Sequence, residues 1–314
     1  MIEALFTYDY GKDKMKSIEK LGYNVTIVDE KNMKYTENMK DTEILVCYDP
    51  FKTLDIAPME KLKWIQLSSI GIDQLPLNEV RKSNIKITNN KGGYSIPIGE
   101  WIVLKALELL KNSKSLYEKQ NNKKWKMDTS ILELYDKTIG FMGTGSIAKE
   151  AAKRLKSFGV NILGSNTNGR EVEYFDRCYS KDNIKEMLSL SDIVVVTIPY
   201  TKDNYHFINK NIFDSMKEGC FFINIARGNI VDEKELINNL KAGKIKAAAL
   251  DVFEEEPLKE DNKLWDLDNV IITPHNSWIS EKRNDRRFQC IYNNMKNYVE
   301  EKELINVVDI NKGY

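Results

Sequence analysis

Histidine is scarce in this 314-residue chain. There are two, His206 and His275, which nearly excludes a histidine-rich metal site. The four cysteines, Cys47, Cys178, Cys220 and Cys290, are scattered without CxxC spacing. That pattern argues against a disulfide or zinc framework and for reduced thiols in a cytoplasmic protein. Net charge is also missing: Lys+Arg and Asp+Glu each number 47, so no field draws the chain to nucleic acid or to an anionic membrane. No apolar run approaches about 18 residues, and no basic segment followed by an apolar one opens the sequence. What remains is 42% apolar and 30% charged residues, the composition of a soluble globular protein long enough for two domains.

The most informative stretch is 137–164, KTIGFMGTGSIAKEAAKRLKSFGVNILG. An apolar strand-like run ends in Gly143-Thr144-Gly145-Ser146-Ile147-Ala148, and Ala151, Ala152, Leu155 and Phe158 then recur at helical spacing. Gly159 closes the helix before a second apolar run. Strand, glycine turn, helix and strand form the unit that a GxGxxA dinucleotide fingerprint requires. In it, Gly143 allows the tight turn, Gly145 the close approach of a pyrophosphate, and Ala148 the packing of helix on strand.

Residues 1–90 alternate short apolar runs with helical segments and read as a parallel sheet whose strands include 4–7, 24–28, 44–47, 64–67 and 85–88. After the fourth comes Ser68-Ser69-Ile70-Gly71-Ile72-Asp73. This is either an ordinary turn or a loop whose N–H groups hold a carboxylate. Gly92-Gly93 marks a break, and Ser95 to Lys111 reads as a long helix, apolar around most of its girth, buried between two domains. A polar segment, Lys111 to Ser130, follows it.

A carboxylate usually ends the second strand of an NAD site, where it binds the ribose hydroxyls. Here that end reads Gly164-Ser165-Asn166-Thr167-Asn168-Gly169-Arg170. Asn166 replaces the acid, and Ser165, Thr167 and Arg170 are donors suited to a 2′-phosphate, unless Arg170 is merely a solvated charge. The segment favours NADP over NAD. Further apolar strands end at Pro199, at Ile225-Ala226-Arg227, at Asp251 and at Pro274-His275. Arg227, Glu256 and His275 are then three chemically able side chains from three segments converging on one end of a sheet.

Taken together, GTGSIA at 143–148, INIARGNIVDE at 223–233, LDVFEEEPL at 250–258 and NVIITPHNS at 269–277 resemble the D-isomer-specific 2-hydroxyacid dehydrogenases. SSIGID at 68–73 and the Gly93-to-Glu100 segment match weaker patterns of that family. The resemblance spans essentially the whole chain. It implies an α/β fold of two doubly wound parallel-sheet domains, Rossmann-like and flavodoxin-like, with a cleft between them. Residues 1–94 plus 282–314 would bind substrate and 95–281 the dinucleotide. A helix from Ser280 to Glu301 and the tail Leu304 to Tyr314 would return to the first domain.

By the same resemblance, Arg227, Glu256 and His275 form a catalytic triad for hydride transfer between nicotinamide and C2 of a small 2-hydroxy or 2-oxo acid. His275 exchanges the proton of the C2 oxygen, Glu256 favours its imidazolium form, and Arg227 grips carboxylate and carbonyl oxygen through its planar fork. Ser69, Ile70 and Gly71 would hold the carboxylate. Gly143, Thr144, Gly145, Ser146, Ile147, Asn166, Thr167, Arg170, Pro199, Ile225, Ala226, Arg227, Asp251 and His275 would line the cofactor. His206 matches no catalytic position and reads as structural. The loop 67–70 lacks the arginine often present in phosphoglycerate enzymes, and no regulatory domain is expected beyond Tyr314. A glyoxylate-, hydroxypyruvate- or pyruvate-type substrate is therefore expected. The alternatives are a D-3-phosphoglycerate dehydrogenase or a nucleotide-sensing binding protein without turnover. The resemblance also implies a homodimer formed through the nucleotide domains, to which the 111–130 segment with Trp125 could belong.

Overall fold

The computed structural model describes residues 1–310 and 313. The chain divides into two compact units, Met1–Tyr94 with Ser280–Tyr314, and Ser95–Ile279.

The first unit opens with β1 (Ile2–Phe6), α1 (Lys12–Glu19), β2 (Tyr23–Ile27), β3 (Ile44–Cys47), β4 (Trp64–Leu67), α2 (Leu77–Ser83) and β5 (Lys86–Thr88). Its strands form one sheet in the order β2-β1-β3-β4-β5, with every pair parallel. Period-two alternation sends Leu5, Leu45, Ile65 and Ile87 to one apolar cluster and Ala4, Phe6, Ile44, Val46 and Trp64 to another. Both faces are therefore covered, and β3 and β4 are buried along their whole length.

The second unit contains α3 (Ser95–Leu110), α4 (Ser113–Asn121), β6 (Thr138–Met142), α5 (Ser146–Leu155), β7 (Asn161–Asn166), β8 (Arg177–Ser180), α6 (Ile184–Leu190) and β9 (Ile193–Val196). It continues with α7 (Lys210–Asp214), β10 (Cys220–Asn224), α8 (Glu233–Ala242), β11 (Ile245–Leu250) and β12 (Val270–Ile272). The sheet order is β12-β11-β10-β9-β6-β7-β8, again all parallel. The chain enters at β6, runs outward to β8, and returns to build the other half from β9. That reversal beside β6 is the switch point at which doubly wound sheets bind ligands. The apolar side of α3 packs onto α5, β10 and β11 within this unit. Two elements were not legible in the sequence. β8 has one buried residue, Tyr179, so no apolar run announces it, and α4 buries none.

The chain then returns to the first unit as α9 (Arg283–Val299), shorter at both ends than expected. Phe288, Ile291 and Met295, one helical face, join the cluster of Phe6, Val46 and Trp64. Buried Asn294 fixes the helix by donating to Gln66 Oε1 (2.8 Å) and the carbonyl of Ile305 (2.9 Å), while its Oδ1 accepts from the N–H of Ile305 (2.6 Å). A buried amide so fully satisfied specifies position rather than adding bulk stability. The tail rejoins β5 through the N–H of Val308, which donates to the carbonyl of Ile87. Of the expected tail, Asn311, Lys312 and Tyr314 lie outside the described residues. No helix of the described residues is long and apolar enough to cross a membrane, and the four cysteines are free.

Candidate active site

The glycine turn behaves as its sequence demands. Gly143 leaves β6 at φ 104°, a backbone that side chains resist, and a Cβ there would press within 3.1 Å of the N atom of Ile198. Gly145 precedes the first turn of α5, and a Cβ placed on it would meet nothing within 4 Å. The room in front of the helix N-terminus is thus available to a ligand, and the unsatisfied N–H groups of Ser146 and Ile147 face an anion there at little cost. These features fit a dinucleotide pyrophosphate.

At the end of β7, Asn166 organises the adjoining loop. Its Nδ2 donates to the carbonyl of Arg170 (2.9 Å) and to Thr144 Oγ1 (3.3 Å), and its Oδ1 accepts the N–H of Arg170 (3.1 Å). Thr144, Asn166 and Arg170 are therefore one constellation, with Thr167 and Arg170 exposed. Ser165 departs from the sequence reading: it is 4% exposed, so its hydroxyl is not offered at the surface of the loop. Ile225 and Ala226 are nearly buried, while Pro199 is exposed.

Arg227, Glu256 and His275 follow β10, β11 and β12, three neighbouring strands, and so emerge at one end of the sheet. His275 Nδ1 lies 2.8 Å from Glu256 Oε2. The other carboxylate oxygen of Glu256 accepts the N–H of Phe253 at 3.0 Å. Burial alone would push the Glu256 carboxyl up. The hydrogen bond to His275, the Phe253 N–H and the charges of His275 and Arg227 outweigh it and hold the group below the usual glutamate range. Gly228 makes this closeness possible. A Cβ on it would sit 1.8 Å from the carbonyl carbon of Phe253, so the Arg227 segment can lie against the Glu256 segment only with glycine there. Arg227 anchors itself by donating from Nη1 to the carbonyl of Ala226 (2.8 Å), and its own carbonyl accepts from Asn224 Nδ2 (3.1 Å).

Asp251, expected to touch the cofactor, is 1% exposed. Its carboxylate accepts from Thr273 Oγ1 and from the N–H groups of Asn276 and Ser277, while its carbonyl accepts the N–H of His275. It therefore holds the His275 segment. The indole of Trp278 donates to the carbonyl of His275 at 2.8 Å, a second support that sequence reasoning missed. In the first unit, the loop after β4 is tied down by Ser69 Oγ donating to the carbonyl of Gly71 and by Asn89 Nδ2 donating to that of Ile70.

His206 stands apart from the triad. Its Nε2 lies 2.8 Å from Glu254 Oε1, off the axis of a good hydrogen bond, and its ring stacks on Tyr205. With Asp232 these two residues bring ligand atoms within 4.8 Å of one another. Asp232 already caps α8 by accepting the N–H of Glu235, and Glu254 accepts that of Glu233.

Residues 103–277 match the family model of the D-isomer-specific 2-hydroxyacid dehydrogenase NAD-binding domain. A glyoxylate reductase of Thermofilum pendens is 36% identical over 248 residues, 76% of this chain and 73% of that protein. A D-3-phosphoglycerate dehydrogenase of Methanocaldococcus jannaschii is 34% identical over 90% of this chain and 54% of its own length. The chain spans about half the length of that relative, and 42% of a second phosphoglycerate dehydrogenase, from Archaeoglobus fulgidus. A solved D-isomer-specific 2-hydroxyacid dehydrogenase family protein of Aeromonas salmonicida superposes with a TM-score of 0.83 at 29% identity, covering 98% of this chain and 99% of that one. The motifs, the two parallel sheets and these matches agree: the chain belongs to the D-isomer-specific 2-hydroxyacid dehydrogenase family.

Proposed function

We propose that the protein is an NAD(P)-dependent oxidoreductase that interconverts a small 2-oxo acid and its D-2-hydroxy acid. The observation that carries this reading is the 2.8 Å contact between His275 Nδ1 and Glu256, beside a carboxyl held ionised by His275 and Arg227. When bound, the nicotinamide cofactor supplies or accepts the hydride at C2. The chain's own residues manage the rest. His275, its Nδ1 engaged, has Nε2 with which to deliver a proton to the C2 oxygen during reduction and remove it during oxidation. Glu256 stabilises the imidazolium that the reductive direction consumes. Arg227 binds the C1 carboxylate and polarises the carbonyl.

NADP is the favoured cofactor because Asn166 stands where a carboxylate would repel a 2′-phosphate. Glyoxylate, hydroxypyruvate and pyruvate are the first substrates to consider, and the phosphoglycerate dehydrogenase relatives favour a phosphorylated 2-hydroxy acid as the second reading. A protein that senses the nucleotide without turnover is the third. We place the protein in the cytoplasm as a homodimer joined through its nucleotide-binding units. The test is oxidation of NADPH and NADH, side by side, with the three 2-oxo acids, for wild type and His275→Ala. A rate that collapses at least ~100-fold in the variant supports the reading. Cofactor binding with no rate for any 2-oxo acid, phosphorylated or not, supports the sensing protein instead.

A further inference from the structure

His206, Asp232 and Glu254 come from three segments of the second unit that backbone hydrogen bonds tie together. The N–H of His206 donates to the carbonyl of Asn229 (2.9 Å), Ile208 forms a parallel bridge with Val231, and the N–H of Asp232 donates to the carbonyl of Ile208 (3.0 Å). On the third segment, Glu254 Oε1 accepts the N–H of Glu233 at 2.9 Å. The three side chains are thus brought together by the backbone before any ligand arrives.

Within the cluster, His206 and Glu254 do not meet as an ordinary ion pair does. His206 Nε2 is shut off from solvent and lies 2.8 Å from Glu254 Oε1, yet it makes no hydrogen bond to that oxygen or to any other atom among the described residues. A buried nitrogen without a partner is costly to keep. An imidazolium held by a carboxylate aims its N–H at the oxygen, preferring angles above about 150°. Two donors that grip one ion have no such need. Each points at the ion rather than at the other, and at about 2.0–2.2 Å from it the two stand roughly 3 Å apart. A short separation without a hydrogen-bond axis is what that arrangement produces. Asp232 supplies the third donor, with all three ligand atoms within 4.8 Å of one another. A backbone N–H engages one oxygen of each carboxylate, Glu235 on Asp232 and Glu233 on Glu254, and each acid keeps its other oxygen for a cation.

We propose that His206, Asp232 and Glu254 bind a divalent transition-metal ion of the zinc class, with water completing its shell. One imidazole and two carboxylates suit Zn²⁺, and Mn²⁺ less tightly, whereas Mg²⁺ and Ca²⁺ take oxygen ligands. The two carboxylates also balance the charge of the ion. The side chains of His206 and Glu254 remain 28% and 33% exposed, so a hydrated ion can reach them. The role is that of a brace. Asp232 ends the 228–231 run that follows Arg227, and Glu254 stands two residues before Glu256, so the ion locks the segments that carry both. This holds whether or not the chain turns over a 2-oxo acid.

The test is calorimetric titration of chelator-treated protein with Zn²⁺, Mn²⁺ and Mg²⁺, on wild type, His206→Ala, Glu254→Gln and His275→Ala. The wild type should bind one Zn²⁺ with a Kd of about 10 µM or tighter, Mn²⁺ more weakly and Mg²⁺ not at all. His206→Ala and Glu254→Gln should each weaken Zn²⁺ by about 30-fold or more. The Gln side chain still offers an oxygen to the Glu233 N–H, so its loss of affinity is not a loss of the fold. His275→Ala should bind Zn²⁺ as the wild type does. Saturating Zn²⁺ should raise the melting temperature of the wild type by several degrees and leave that of Glu254→Gln unmoved. A wild type without Zn²⁺ affinity overturns the proposal and leaves a misaligned His206–Glu254 pair. So does an affinity that survives in His206→Ala and is lost in His275→Ala, which puts the ion on the triad instead.

Discussion

Asp251 binds the chain on both sides of His275. Its carbonyl accepts the N–H of His275 at 2.9 Å, and its carboxylate accepts the N–H groups of Asn276 (2.8 Å) and Ser277 (3.0 Å) and the Thr273 hydroxyl (2.7 Å). His275 sits at φ 51°, a left-handed backbone that costs a non-glycine residue about 1 kcal/mol, so the surrounding bonds must hold it there.

Asp251→Asn would turn an amide toward donors that need an acceptor. We expect a loss of about 2 kcal/mol in stability, seen as a Tm fall of roughly 5 °C, and a kcat lowered about tenfold or more. The KM for the cofactor should change little, because the buried carboxylate acts through the His275 segment. A variant with normal kcat and raised cofactor KM would return Asp251 to the cofactor-contact role read from the sequence.

Glu256 sets a pH dependence whose sign follows from its depressed carboxyl. A group held below its unfolded value of about 4.3 adds stability that is complete above that pH. That stability is lost as the pH falls through the lower folded value. Glu256→Gln should therefore flatten the acid loss of stability below about pH 4.3 in chemical denaturation. In 2-oxo acid reduction the same change removes the carboxylate that meets His275 Nδ1 at 2.8 Å, and kcat should fall about tenfold or more. An unchanged kcat would dissociate Glu256 from the proton transfer.

Arg227→Lys keeps the charge and removes the fork. Because Arg227 is asked to hold carboxylate and carbonyl oxygen together, kcat/KM should fall about 100-fold or more while cofactor affinity holds. An equal loss of cofactor affinity would mean that Arg227 serves the nucleotide instead.

The exposed face of the second unit carries its own expectation. Trp125 is fully exposed and Met127 86% exposed, in the segment after α4. Such side chains at a surface are commonly covered by a partner, which on the homodimer proposed above is a second copy. Light scattering at micromolar concentration should give a dimer for the wild type and a monomer for Trp125→Glu combined with Met127→Glu. A wild-type monomer would end that reading.

The legible and illegible parts of this molecule differ for a physical reason. Buried parallel strands such as Ile193–Val196 and Cys220–Asn224 must be apolar on both faces, so composition alone exposes them. The turn at Gly143 and the Arg227, Glu256 and His275 positions were readable because each sits at a strand end in a short fixed motif. β8 was not, since an edge strand covered on one side needs no apolar run. Asp251 was found, but its hold on the His275 segment was not legible, because a strand-end aspartate looks alike in sequence whether it meets a ligand or the next loop. Arg287 was missed altogether. It is one of 47 basic residues, and its burial depends on Tyr94 and Tyr10, almost two hundred or more positions earlier in the chain.

The cofactor preference can be tested at one residue. Asn166 does two things at once: it denies the β7 end a negative charge, and it ties Arg170 and Thr144 into one loop. Asn166→Asp restores the charge and keeps Oδ1 as acceptor for the Arg170 N–H, but it sets a second oxygen against the Arg170 carbonyl that Nδ2 now meets at 2.9 Å. The NADPH kcat/KM should fall about tenfold or more from repulsion of the 2′-phosphate, whereas NADH should hold or gain through the ribose hydroxyls. Arg170→Ala should lower NADPH use alone, since it removes a cation and leaves the Asn166 bonds to the backbone intact. If Asn166→Asp instead lowers both cofactors equally, the residue is a loop fastener and discrimination between the two nucleotides lies elsewhere.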